Sequence, residues 1–200
     1  MTLESATDYF NRGYEKQALG DYAGAIEDYT QAIEIDPPNA DAYTNRGITK
    51  SCIADYSGAI EDYNKALQID PQNADAYCAR GFSKNNSEDY VGAIQDCEQA
   101  IQIDPYSAKA YCIRGFSKNG LEDYAGAIQD CEQAIQINLH FATAYYGRGV
   151  AKIELGNKAE GFADLEKALE LYEVQGEVEG YEEVLKYKKE ISDPDESEES

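Results

Sequence analysis

Residues Ala74–Ser107 read ADAYCARGFSKNNSEDYVGAIQDCEQAIQIDPYS, and the next stretch, Ala108–Phe141, reads AKAYCIRGFSKNGLEDYAGAIQDCEQAIQINLHF. Between Gly81–Ile103 and Gly115–Ile137 the two differ only at Asn86/Gly120, Ser87/Leu121 and Val91/Ala125. Outward from this core, an Arg-Gly pair stands at Arg12, Arg46, Arg80, Arg114 and Arg148, which sets a period of 34 residues. A fixed period of that size marks a stacked array, in which each unit buries surface against its neighbours, rather than a globule folded once.

Each unit reads as two helices. Asn39, Asn73 and Ser107 stand where a first helix begins, and their side chains can accept its orphan N–H groups. Asp21, Asp55, Asp89, Asp123 and Asn157 stand at the start of a second helix, where the acids also favour the positive end of the helix dipole. Pro37, Pro71 and Pro105 each follow an aspartate that ends the second helix. Turns of a few residues between helices imply antiparallel hairpins. In the second unit the expected buried face is Tyr43, Gly47, Ala59, Ile60, Tyr63, Ala66, Leu67 and Ile69. Glycine recurs inside the first helix at Gly13, Gly47, Gly81, Gly115 and Gly149. It costs about 1 kcal/mol there relative to alanine. Close approach of the second helix explains it, with Ala25, Ala59, Ala93, Ala127 and, in the fifth unit, Gly161 expected to face it.

The formal charge of −22 and an isoelectric point near 4.2 argue against nucleic acid as a direct ligand, because phosphate binding needs a basic patch. They favour basic or neutral partners. No apolar run approaches the roughly 20 residues that span a bilayer. The N-terminus lacks a basic start followed by an apolar core, so no signal peptide is expected and a cytoplasmic location is the default. Cys52, Cys78, Cys97, Cys112 and Cys131 form no CxxC pair. Equivalent positions in stacked units lie at least roughly 8–10 Å apart, beyond the about 7 Å that a disulfide spans, so reduced thiols are expected. His140 has no partner at metal-ligand spacing, no Gly-rich phosphate loop is present, and no carboxylate pair stands out as acid and base. These readings point away from an enzyme, a metal site and a cofactor.

Arginine recurs together with an aspartate of the second helix: Arg12 with Asp28, Arg46 with Asp62, Arg80 with Asp96, Arg114 with Asp130 and Arg148 with Asp164. Arginine suits partly buried, bidentate pairing, so these are expected as structural ion pairs across each hairpin.

The whole pattern resembles the tetratricopeptide repeat family: a 34-residue helix–turn–helix unit with aromatic, glycine, alanine, aromatic, alanine and proline at matching places. Five units fit, over residues 6–39, 40–73, 74–107, 108–141 and 142–175. Residues 176–191 are then expected as a helix capping the last unit, and residues 192–200 as a disordered acidic tail. The sequence departs from the family's usual residues in three recurring ways. Tyrosine replaces tryptophan at Tyr9, Tyr43, Tyr77, Tyr111 and Tyr145. Arginine replaces leucine before the glycine. Lysine replaces tyrosine at Lys16, Lys50, Lys84, Lys118 and Lys152. Leu139 stands where the other units have proline.

The resemblance implies an all-α fold, a right-handed α-solenoid of antiparallel helix hairpins, with a concave groove that holds peptide segments. The matching groove positions are Phe10, Asn11 and Tyr14; Thr44, Asn45 and Ile48; Cys78, Phe82 and Asn85, with Ala79 beside them; Cys112, Ile113, Phe116 and Asn119; and Tyr146 and Val150, with Gly147 between. The row Tyr14, Ile48, Phe82, Phe116, Val150 is apolar throughout, and Asn45, Asn85 and Asn119 offer amides to a peptide backbone. The carboxylate clamp by which some family members hold chaperone tails is not matched. Counted from the first unit its places hold Phe10, Tyr14, Asn45, Asp75 and Ala79; counted from the second, Thr44, Ile48, Ala79, Lys109 and Ile113. The expected function is a non-enzymatic adaptor or scaffold, of the assembly-factor or co-chaperone kind, that binds a client segment in the groove. Acidic flanks would favour a basic client. The alternative is a self-association module that buries the same row, or the irregular fifth unit, against a second copy.

Overall fold

The computed structural model describes residues 4–192, so the acidic tail beyond Ser192 lies outside the described residues. Eleven helices follow one another, and no strand occurs among the described residues. They are α1 (Ala6–Ala18), α2 (Tyr22–Ile35), α3 (Ala40–Cys52), α4 (Tyr56–Ile69), α5 (Ala74–Asn86), α6 (Tyr90–Ile103), α7 (Ala108–Gly120), α8 (Tyr124–Ile137), α9 (Ala142–Glu154), α10 (Lys158–Gln175) and α11 (Val178–Ser192). The fold is an all-α solenoid built from helix hairpins. The chain divides into two units, Met1–Pro105 with α1 to α6 and Tyr106–Ser200 with α7 to α11.

Local chemistry sets the helix ends. Asn39, Asn73 and Ser107 accept the backbone N–H groups of Ala42, Ala76 and Ala110 at 2.9, 2.8 and 3.3 Å. Asp21, Asp55, Asp89 and Asp123 accept those of Gly24, Gly58, Gly92 and Gly126, each at 3.0 Å. Asn157, expected to cap α10 in the same way, makes no side-chain cap bond. The reason lies three residues on. A Cβ added at Gly24, Gly58, Gly92 or Gly126 would come within 2.2–2.3 Å of the capping carboxylate. The fifth hairpin has Glu160 at that place, so its own Cβ fills the space a capping side chain needs.

The turn inside each hairpin demands one left-handed residue. Gly20 (φ 80°) and Gly156 (φ 87°) supply it in the first and last hairpins, while Ala54, Glu88 and Glu122 adopt φ of 60°, 63° and 62° in the others.

In the first unit the centre of each hairpin is a side chain of the second helix laid on the glycine of the first, a tyrosine in the first two hairpins and a cysteine in the third. Tyr29 and Tyr63 are buried there, and a Cβ at Gly13 or Gly47 would stand 3.0 or 2.7 Å from their rings. At Gly81 the neighbour is the Cys97 sulfur at 3.0 Å. At Gly13 and Gly47 the facing residue is therefore one turn beyond the expected Ala25 or Ala59. The expected Ala93, Ala127 and Gly161 do lie close, with their carbonyl oxygens 3.3, 3.3 and 3.0 Å from a Cβ at Gly81, Gly115 and Gly149. Ile69 is 39% exposed and does not belong to the buried face. In the second unit Cys131 and Leu165 take the equivalent places against Gly115 and Gly149. There α11 closes the core with Val184, which is fully buried beside Leu165, Leu169 and Tyr172. Burying a side chain of that size is worth about 1.5–3 kcal/mol.

Candidate functional site

Two features recur at the period of the chain: a polar knot inside each hairpin and a set of side chains along the first helices. The knot is larger than an ion pair. Arg12 grips Asp28 with Nε and Nη2 at 2.9 and 2.6 Å, and Lys16 Nζ reaches the same carboxylate at 2.7 Å. The arrangement repeats with Arg46 and Lys50 on Asp62, Arg80 and Lys84 on Asp96, Arg114 and Lys118 on Asp130, and Arg148 and Lys152 on Asp164. Each aspartate is buried. Each guanidinium also lies over the preceding tyrosine ring, 4.8 Å from its centre for Tyr9 and 5.4–5.5 Å for Tyr43, Tyr77, Tyr111 and Tyr145. The recurring tyrosine, arginine and lysine thus form one set: arginine and lysine share a single carboxylate, and the tyrosine ring lies under the arginine. Arg12, and then Lys16, hold the Asp28 carboxyl below its ordinary value, against the opposing effect of burial.

Some of these arginines also join neighbouring hairpins. Within the first unit Arg46 Nη1 donates to Thr30 Oγ1 at 3.0 Å and Arg80 Nη1 to Asn64 Oδ1 at 2.6 Å. Within the second, Arg148 Nη1 lies 3.9 Å from Glu132. Each of the five knots thus joins the two helices of its own hairpin. Sequence spacing names the arginine and the aspartate but not the lysine, although lysine four residues after arginine shares its helix face.

The positions expected to line a groove separate into three groups. Tyr14 and Phe82 are 60% and 45% exposed, and Asn11 is also exposed. Phe10, Asn45, Ile48, Asn85, Ile113, Phe116, Asn119 and Val150 are half-buried. Thr44, Cys78, Cys112 and Tyr146 are buried. Phe10 leans on Tyr29 at a ring distance of 5.6 Å. The amides are partly committed as well: Asn45 Nδ2 donates to the Asp41 carbonyl at 2.9 Å and Asn119 Nδ2 to that of Gly147 at 3.0 Å.

In the second unit the apolar row is not open. Phe116 packs on Tyr146 at 5.9 Å, and Tyr146 meets Tyr187 of α11 edge-on at 6.0 Å. Phe116, Val150, Tyr181, Tyr187 and Ile191 surround one buried cluster. Tyr187 Oη donates to Glu154 at 3.3 Å, and Lys188 pairs with Glu166. In the second unit α11 thus joins the cluster against which Phe116 and Val150 pack. In the first unit, Tyr14, Ile48 and Phe82 hold equivalent places on α1, α3 and α5 and present two large exposed rings.

No helix among the described residues is long and apolar enough to cross a membrane. All five cysteines are thiols, and Cys52 is the exposed one. His140 is exposed at the junction before α9, where its carbonyl accepts from Gln175 Nε2 at 2.7 Å.

A family model described as TPR repeat matches residues 13–50 and 55–85, and one described as Tetratricopeptide repeat matches residues 74–107, 108–141 and 142–175. No curated protein matches the chain. Among solved structures, the crystal structure of MamA protein is 29% identical, with 86% of this chain and 94% of that one covered and a TM-score of 0.70. A MamA structure from Desulfovibrio magneticus RS-1 is 18% identical, covers 88% of this chain and 99% of its own, and has a TM-score of 0.74. TTC0263, a thermophilic TPR protein in Thermus thermophilus, is 18% identical over 90% of this chain and 99% of its own, with a TM-score of 0.75. At 18% identity the last two likenesses speak for the fold alone.

Proposed function

The chain belongs to the tetratricopeptide repeat family, and from that premise we propose that it is a non-enzymatic adaptor that binds a segment of a client protein on the first helices of its hairpins. The observation that carries this reading is the exposure of Tyr14 and Phe82, with Ile48 between them in sequence at the same place of the repeat. Large apolar side chains repeated at one register on an outer face are the usual mark of a partner site. The proposed client-binding set is Tyr14, Ile48 and Phe82 with Asn11 beside them. Phe116, Tyr146 and Val150 serve the packing of α11 instead. The three knots of the first unit, on Arg12, Arg46 and Arg80, give the face its rigidity, since they fix the two helices of each hairpin against one another.

The test is capture from native lysate with the wild-type chain and with a Tyr14→Ala/Phe82→Ala variant, after circular dichroism has shown equal helix content. The proposal expects a co-purifying protein that the variant loses. Its retention by the variant would overturn the reading, and a dimer that the same variant dissolves would favour self-association instead.

A further inference from the structure

The cations of the first unit are used up inside it. Arg12 and Lys16, Arg46 and Lys50, and Arg80 and Lys84 are tied to Asp28, Asp62 and Asp96, which leaves Lys65 as the one basic side chain of Met1–Pro105 outside a knot. The carboxylates are not used up. Asp41 stands seven residues before Ile48 on α3, and Asp75 seven before Phe82 on α5. Seven residues are two helical turns, so each acid lies on the same helix face as the apolar residue, roughly 10 Å along it. Both acids are exposed, both sit in the first turn of their helix, and among the described residues neither is in an ion pair. An apolar row of Tyr14, Ile48 and Phe82 thus runs beside a short row of unneutralised carboxylates.

The second unit offers a comparison, because a helix lies next to its part of the row. There α11 buries Val184 in a cluster against which Phe116 and Val150 also pack, lays Tyr187 edge-on against Tyr146 of α9, and pairs Lys188 with Glu166 of α10. An extended guest would instead rely on backbone bonds from the host, and Asn45 has turned its amide onto its own helix.

We propose that the open face of the first unit receives a basic amphipathic helix of a partner protein. Its apolar side chains rest on Tyr14, Ile48 and Phe82, and its lysines or arginines face Asp41 and Asp75. This rests on the adaptor reading above and adds the charge and the conformation of the guest.

The probes are three synthetic peptides of the length of α11. One has tyrosine and leucine on one helix face and lysine on the other, one has glutamate in place of lysine, and one is the lysine peptide with a central proline. Binding to the full chain is followed by fluorescence anisotropy at low and high salt. The lysine peptide should bind, and the glutamate and proline peptides should bind at least about tenfold more weakly. An Asp41→Asn/Asp75→Asn variant should lose roughly tenfold in affinity for the lysine peptide, with a flatter salt dependence. A Tyr14→Ala/Phe82→Ala variant should lose binding altogether. Should the ring variant abolish binding while the charge variant and the glutamate peptide behave as wild type, the basic guest is wrong and the adaptor survives. Binding that survives loss of both rings refutes the adaptor as well. Equal binding of the proline peptide, or no binding of the lysine peptide, also overturns the inference.

Discussion

Arg80 on α5 holds Asp96 on α6 with two nitrogens, at 2.8 and 2.5 Å, and its third reaches back to Asn64 on α4 at 2.6 Å. One guanidinium therefore joins both helices of its own hairpin to the hairpin before. Replacing Arg80 by alanine leaves a buried carboxylate with Lys84 as its remaining cation. Removing one partner of a buried pair costs about 3–5 kcal/mol when the other is left bare. The remaining lysine moderates this, so a loss of about 2 kcal/mol is expected for Arg80→Ala, read as a lower urea midpoint. Arg80→Lys should recover only part of it, because an ammonium cannot make the parallel two-nitrogen contact. An unchanged midpoint would remove the knot from the account of stability.

The same chemistry predicts an acid limit. Arg12, followed by Lys16, keeps the Asp28 carboxyl below its ordinary value in the folded chain. A group depressed on folding stabilises the fold above its unfolded pKa, about 3.9 for aspartate. That contribution is lost as pH falls toward and through the folded value. Stability of the wild type should therefore fall with acidification below about pH 4. Asp28→Asn should be less stable at neutral pH and show a shallower decline in acid, measured by thermal melts at a series of pH values. A parallel decline in the two proteins would assign the acid limit elsewhere.

The two-helix repeat can be read directly from sequence because its signals are local. A capping side chain, a proline and a glycine each act within a few residues, and the 34-residue period repeats the message. Rotation about a helix axis is not local. Spacing puts alanine opposite Gly13, but the Tyr29 ring occupies that space one turn further on. Exposure along the first helices depends on packing that spacing does not set, so Thr44, Cys78, Cys112 and Tyr146 are buried although their spacing places them on a groove. The covering of Tyr146 by Tyr187 joins residues far apart in sequence, and no period links them. The lysine of each knot is legible in principle, since it recurs four residues after every arginine. Read alone, though, a lysine on a helix face is usually a solvated charge.

The thiols should differ sharply in reactivity. Cys52 is exposed, whereas Cys78, Cys97, Cys112 and Cys131 are buried. Burial pushes the Cys131 thiol up to about 12. Thiolate is the reactive form, so maleimide should label Cys52 alone in the native chain, and the others only on unfolding. Mass spectrometry after a timed pulse checks this, and early labelling of Cys131 would mean that the second unit opens readily.

Three turns carry a non-glycine residue in the left-handed region, at Ala54, Glu88 and Glu122. Such a residue costs roughly 1–2 kcal/mol relative to a relaxed conformation, and glycine escapes most of that cost. Glu122→Gly should raise stability by about 0.5–1 kcal/mol after the greater entropy of the unfolded glycine is set against it. Gly20→Ala and Gly156→Ala should lower stability by a similar amount. Their φ values of 80° and 87° lie in the same region. A loss of stability in Glu122→Gly would show that the glutamate side chain contributes more than its backbone strain costs.

A second set of polar contacts links successive hairpins, and one member is missing. In the first unit Thr49 Oγ1 donates to Gln17 Oε1 at 3.1 Å, and the hydroxyls of Ser51 and Ser83 lie 2.7 Å apart. Each contact joins a residue to the one 32 positions later. In the second unit the same step leads from Asn119 to Ala151, which is fully buried and has nothing to donate. Asn119 Oδ1 is the buried side-chain oxygen that accepts no hydrogen bond among the described residues. A hydroxyl in place of the Ala151 methyl would sit where those of Thr49 and Ser83 already fit. A buried hydrogen bond is worth about 1 kcal/mol net, and satisfying an orphaned acceptor somewhat more. Ala151→Ser should therefore raise stability by about 1 kcal/mol, while adding Asn119→Ala to the Ala151→Ser variant should erase that gain. Melting curves of the two singles and the double complete the cycle. Equal effects of Ala151→Ser with and without Asn119 would show that the new hydroxyl bonds only to its own helix.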